Sequence, residues 1–270
     1  MRSLAAISSQ IAVLAVVCLL SAGASRAQSA GSVPDVVPKT RELVAQFVEE
    51  FGTIRYEEDL SQQKLKENDK VAYKQETVFD SIIRMRVDDE GKLRVDEQRI
   101  IEKTPVHVER RPLLSTYGFS SLAMIFHPYY ESSFRFTRLE NDSLQGQSLA
   151  RIGFEHIPGA PTPLLYQMIG ADKPMELKGT AWIDAGTGQV HRIEAEFGFE
   201  SKDKDMPVKA VRAELVYGPV VLRDEKTPRV LPVSATIDLE TPRQHWRNIH
   251  RFLDYRKYRV TTSLPGVATQ

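Results

Sequence analysis

The sequence predicts a mainly β protein. It should form one strongly curved antiparallel sheet, an open or half β-barrel of about ten strands, with an amphipathic helix in front and short apolar helices over the concave face. Three observations carry this reading. First, residues 177–199 alternate with a period of two on both sides of Asp184-Ala185-Gly186-Thr187-Gly188. Leu177, Gly179, Ala181 and Ile183 share a face in one arm, and His191, Ile193, Ala195, Phe197 and Phe199 share a face in the other. This is a β-hairpin with one apolar and one charged face, so the sheet is covered on one side. Second, the same rhythm recurs over 79–87, 93–101, 211–217 and 233–239. Third, two apolar segments, 119–126 and 164–169, interrupt it.

At the N-terminus, Arg2, the apolar run 11–20 and the small residues Ser25 and Ala27 flanking Arg26 read as a signal peptide over 1–27, cleaved before Gln28. The run is shorter than the roughly 20 residues that a membrane span needs. Cys18 is the only cysteine. Val17 stands before it where lipoprotein processing takes a small residue, so Cys18 is part of the apolar run. The mature chain then has no cysteine, and no disulfide or thiolate site is expected. The chain is therefore expected to be exported.

Residues 28–39 read as a flexible tether rich in Ser, Gly, Val and Pro. Leu43, Phe47, Phe51 and Ile54 follow at spacings of four, four and three, with Val44 and Val48 beside them. They predict an amphipathic helix that ends near Gly52 and either plugs a barrel or packs on a sheet. Residues 55–65 are polar and suit a first edge strand or a continued helix. The next two strands turn at Asp88-Asp89-Glu90-Gly91, and their Arg- and Asp-rich face suits solvent.

Pro105 and Pro112 break the pattern before a short helix over 117–130. Phe119, Leu122 and Phe126 line one side of it, and His127-Pro128 stops it. An element this apolar is buried or faces an oily cavity. Residues 134–139 and 148–156 form a further pair. The loop 158–163 leads into the second apolar segment, with Leu165 and Met168. The last strand, about 245–262, is rich in His, Arg and Tyr and suits an edge. Residues 40–262 form one domain without a repeat, and 263–270 form a tail.

Little points to catalysis. The six histidines are scattered. His245 and His250, five apart on a strand, face opposite ways. His127 precedes a proline, and His107, His156 and His191 stand alone. No metal or cofactor is expected. The sequence lacks a Gly-x-Ser-x-Gly elbow, a phosphate loop and a His-Glu-x-x-His motif. The carboxylate pairs Glu49-Glu50, Glu57-Glu58 and Asp88-Asp89 read as surface charge. Arg243, Arg247, Arg251, Arg256, Lys257 and Arg259, with Trp246, Tyr255 and Tyr258, suit an edge strand or a contact with acidic headgroups. With 36 basic and 36 acidic residues, the chain has no global pull toward nucleic acid.

The hairpin reads Gly-x-Ala-Trp-Ile-Asp-x-x-Thr-Gly-x-Val-x-Arg-Ile-Glu from 179 to 194. With the order of elements around it, the chain resembles the LolA/LolB-like superfamily of periplasmic lipoprotein carriers and the wider group of outer-membrane lipoprotein-sorting-like proteins. The resemblance implies an unclosed β-barrel whose helices cover an oily concave face that holds acyl chains. The expected function is non-enzymatic binding of a lipid or lipidated protein in the bacterial envelope. Phe119, Leu122, Phe126, Leu165 and Met168 would form the lid. Phe134, Phe136, Ile183, Ile193 and Phe197 would form the lining. An envelope protein and the membrane surface are further expected contacts. Two other readings stand beside this one. One is a structural or assembly protein whose concave face is filled by its own side chains. The other is a hydrolase with scattered catalytic groups, which a perturbed carboxylate–histidine pair in a cleft would support.

Overall fold

The computed structural model describes residues 34–50, 52–103, 115–144, 146–168, 171–198, 210–223 and 225–258. The expected signal peptide, tether residues 28–33, Phe51, Phe199, Pro105, Pro112, His107, Arg259 and the C-terminal tail lie outside the described residues, and the end of the expected tether, 36–39, is the first turn of a helix instead.

A helix, α1 (Val36–Glu50), precedes three long strands: β1 (Thr53–Leu65), β2 (Val71–Val87) and β3 (Leu93–Lys103). Two 3-10 segments follow, Phe119–Phe126 and Pro128–Ser133. Then come β4 (Phe134–Arg138), β5 (Asp142–Leu144), β6 (Gln147–His156), β7 (Leu165–Met168), β8 (Ala171–Pro174), β9 (Glu176–Ile183), β10 (Val190–Gly198), β11 (Ala210–Val220), β12 (Arg229–Glu240) and β13 (His245–Lys257). Eleven strands form one antiparallel sheet in the order β3-β2-β1-β13-β12-β11-β10-β9-β6-β4, with β5 on β6. The ends, β3 and β4, do not pair with each other, so the sheet stays open.

The hairpin expected at 177–199 is β9–β10. Ile193 pairs with Ala181, Ala195 with Gly179 and Phe197 with Leu177. A register shift between Val190 and Arg192 turns Val190 into the core in place of His191. At the turn, Asp184 Oδ1 accepts the amides of Gly186 (2.8 Å) and Thr187 (2.7 Å). Gly179 leaves no space above the sheet. A Cβ there would lie 2.0 Å from Glu194 O and 2.7 Å from the Phe154 ring, which already fills the place.

Three other expectations need correction. β1 and β13 are not edge strands: they pair with each other in the middle of the sheet, between β2 and β12. Their polar composition serves the interior, where Glu58, Asn248 and His250 are buried beside Tyr56, Phe252 and Tyr255. On β2, the face expected to be solvated buries Asp80 and Ile82. Asp80 forms an ion pair with Arg55 of β1. His127-Pro128 stops the first 3-10 segment as expected, with His127 extended at φ −63° and ψ 141°. His127 Nδ1 accepts the Tyr129 amide at 3.1 Å, and a second 3-10 turn begins at Pro128. The second apolar segment, expected to interrupt the β rhythm, contains a strand, β7, which pairs with β8 in a separate two-stranded sheet.

Candidate functional site

On α1 the fully buried row is Val37, Thr40, Val44 and Val48, rotated from the Leu43–Phe47 stripe that the spacing suggested. Leu43 and Phe47 are only partly covered because they face a cavity of about 250 Å³. Ile54, Tyr56, Ile83 and Met85 of β1 and β2 line its floor. Ser120, Ser121, Ala123 and Met124 of the first 3-10 segment form one wall, and Val230, Leu231 and Pro232 of β12 form another. Glu50 and Arg229 also border it.

The cavity exists because α1 is anchored near its ends. Near its start, Thr40 Oγ1 donates to Gly188 O at 2.9 Å, and Lys39 Nζ reaches Ala185 O at 3.4 Å. Gly188, at φ +80°, allows this approach: a Cβ there would sit 2.9 Å from Lys39 Cβ. The β9–β10 turn is thus the docking point for α1. At the other end Arg229 holds Glu50 through two bonds, at 2.7 and 3.2 Å. A carboxylate at a helix C-terminus is opposed by the helix dipole, and the arginine offsets this.

Eight of the expected site residues pack beside this cavity and fill the neighbouring part of the concave face. Phe119, Leu122, Phe126, Phe134, Phe136, Ile183, Ile193 and Phe197 are all buried in the core. Phe119 meets Phe197 edge-on with centroids 5.7 Å apart, and Phe126 stacks on Phe136 at 5.2 Å. Leu165 and Met168 lie on β7, and their side chains fall outside the described structure. The sequence reading missed Leu43, Phe47, Met85 and Met124 as cavity residues. The usable signal was an apolar helix stripe wider than one buried row.

Beside the cavity floor lies a buried polar cluster that the sequence reading missed. Glu58, expected as surface charge, is fully buried on β1. Its Oε1 meets His250 Nδ1 at 2.5 Å and Arg99 at 2.8 Å, and its Oε2 accepts from Ser81 Oγ at 3.0 Å. Burial pushes the Glu58 pKa up, but the bonds from His250 and Ser81 and the Arg99 charge outweigh it. The carboxyl is held below the ordinary glutamate value. Burial pushes Glu97 up, and the Glu58 charge adds to this against the pull of Arg99. For Tyr56, burial comes first and the charges of Glu97 and Glu58 follow, so the phenol is raised well above its usual value.

His250 Nε2 lies 2.8 Å from Thr116 Oγ1, which accepts from Asn248 Nδ2 at 2.9 Å. With its proton on Nδ1, His250 donates to Glu58 and accepts from Thr116. Hydroxyl, imidazole and carboxylate are therefore connected like a nucleophile, base and acid. However, Thr116 is only 5% exposed and does not line the cavity. The cluster works as a clamp on the chain leading into the first 3-10 segment. Arg99 donates to Thr116 O at 2.5 Å, and the Gly118 amide donates to Glu97 Oε2 at 2.5 Å.

His245 bonds to Asp238 at 2.9 Å on the opposite face from His250. Among the described residues, no group of three or more His, Cys, Asp or Glu side chains is placed to hold a metal. Three of the six basic residues of the C-terminal cluster are paired with acids. Arg247 pairs with Asp238, Arg256 with Asp80 and Lys257 with Glu225.

No family model and no curated protein matches the chain. Similar solved structures include a LolA superfamily protein from Nitrosomonas europaea, at 10% identity and a TM-score of 0.37, covering 82% of this chain and 94% of the other. A DUF1329 family protein from Desulfovibrio piger has 11% identity and a TM-score of 0.41, with 85% and 95% covered. An outer membrane lipoprotein-sorting protein domain from Vibrio parahaemolyticus has 11% identity and a TM-score of 0.36, with 84% and 92% covered. These names include the group that the hairpin resembles. At such low identities and TM-scores they say nothing about ligand or role.

Proposed function

We propose that this protein binds an apolar chain beneath α1, as a non-enzymatic carrier of lipid or lipidated protein in the periplasm. The observation that supports this is the cavity of about 250 Å³ walled by Leu43, Phe47, Ile54, Ile83, Met85 and Met124. Burying ten methylenes there would contribute about 8 kcal/mol. That is of the same order as the roughly 4–15 kcal/mol lost on association, so extra contacts or a longer chain decide the affinity. The eight packed residues beside it support one wall in this reading. Native mass spectrometry of freshly purified protein and titration of delipidated protein with a fluorescent fatty acid test the proposal. A co-purified lipid mass and saturable uptake are expected. Absence of both would overturn it.

The second reading is an envelope assembly protein whose concave face is filled by its own side chains. The ring contacts Phe119–Phe197 and Phe126–Phe136, and the Phe154 ring over Gly179, favour it. It gains if uptake is absent.

A further inference from the structure

We infer that the polar end of the ligand is anionic, a carboxylate or a phosphate, and is held in a cationic cleft at the rim of the sheet by Arg84 and Arg86. This rests on the reading that the cavity takes an apolar chain.

The cleft follows from unequal strand lengths. β1 begins at Thr53, but β2 runs on to Val87. Met85 N donates to Gly52 O at 2.7 Å, and Tyr258 N reaches Thr53 O at 3.3 Å where β13 ends. The notch left at this corner has a volume of about 370 Å³, and Glu50 and Met85 border both it and the apolar cavity. An amphiphile with its chain under α1 would therefore bring its head to this corner.

The charge at the notch is unbalanced. Arg84 and Arg86, two apart on β2, are exposed on the side of the strand opposite Ile83 and Met85, so a head held by them passes round β2 where it runs on beyond the start of β1. The Arg84 guanidinium has a long bond, 3.4 Å, to the neutral Gln98. Asp96 stands opposite Arg84 in register, yet no ion pair joins them among the described residues. Opposite Arg86 stands another cation, Arg94, bonded to Asp88 at 2.9 Å. Lys257 lies 2.8 Å from Glu225 and 3.6 Å from Glu50. Glu50, the only acid bordering the notch among the described residues, is already engaged by Arg229 at 2.7 Å. Two arginines on a notch that shares Glu50 and Met85 with the apolar cavity suit the forked geometry of a carboxylate or phosphate.

The test is displacement of a fluorescent fatty acid from the full mature chain by three ligands with the same sixteen-carbon chain. These are palmitate, palmitoyl lysophosphatidate and the neutral monopalmitoylglycerol. At least one anionic ligand should bind about tenfold or more tighter than the neutral one, with the gap narrowing as salt rises. Whichever anion shows the gap identifies the headgroup. The double variant R84Q/R86Q should lose the gap while keeping the wild-type affinity for monopalmitoylglycerol and the wild-type Tm. Equal affinities for all three ligands in the wild type would overturn the anionic site and leave the apolar cavity standing. So would a gap that survives in the variant. Failure of all three to bind would overturn both.

Discussion

Glu58 Oε1 lies 2.5 Å from His250 Nδ1, although the two residues are 192 positions apart in the chain. The contact joins β1 to β13 across the middle of the sheet. Removing either partner leaves a buried polar group without its mate. Glu58→Gln should cost about 3–5 kcal/mol at neutral pH, as breaking a buried ion pair does. Chemical denaturation reads this directly, and a loss below 1 kcal/mol would show that the cluster is not a clamp.

The same cluster sets an acid limit. Glu58 is held below its ordinary pKa, so its stabilisation is complete above the unfolded value and is lost as pH falls through the folded value. Glu97 is raised and acts the other way: its ionisation opposes folding as pH rises through its folded value. Glu97→Gln should therefore be milder at neutral pH than Glu58→Gln, because the amide oxygen can still accept from Gly118. Tm measured from pH 3 to 8 checks both signs. The acid-side loss should flatten in Glu58→Gln, and the neutral-side slope should flatten in Glu97→Gln.

Thr116 separates a clamp from a catalytic relay. Thr116→Ser should keep stability, and Thr116→Val should cost about 1–3 kcal/mol by leaving His250 and Asn248 unmatched. Neither should change the turnover of a nitrophenyl ester above the buffer rate, because the wild type should show none. Ester hydrolysis that disappears in Thr116→Val and returns in Thr116→Ser would contradict the clamp.

Ala123 borders the cavity from the 3-10 segment. Ala123→Phe should fill that space and weaken fatty-acid uptake by about tenfold or more, with an overpacking cost of about 1–3 kcal/mol. Titration and Tm on the same sample distinguish blocked binding from unfolding.

Two glycines of the hairpin should differ in their tolerance of a methyl group. At Gly179 a Cβ would meet backbone at 2.0 Å, and Gly179→Ala should prevent the native fold. At Gly188 the nearest atoms belong to α1, at 2.9–3.0 Å, in a left-handed conformation. Gly188→Ala should leave the sheet folded and loosen α1, at a cost of about 1–2 kcal/mol. Hydrogen exchange should show lost protection confined to α1.

By itself the sequence determined the local elements. Alternation marked β9, β10, β11 and β12, and the i, i+4 spacing of apolar residues marked α1, because each pattern records which side of one element is apolar. It also marked Phe119, Phe126, Ile193 and Phe197 as interior. Only the tertiary structure decided which strands are neighbours. β13 looked like an edge strand because its polar residues had no visible partners, and those partners lie on β1, β2, β12 and the segment before the first 3-10 turn. The same holds for Glu58: next to Glu57 in sequence it reads as surface charge, and only the β1–β13 register gives it His250. The cavity was hidden for a related reason. It is a gap left by a helix anchored near both ends, and the Gly188 and Arg229 contacts that anchor it join residues more than a hundred positions apart.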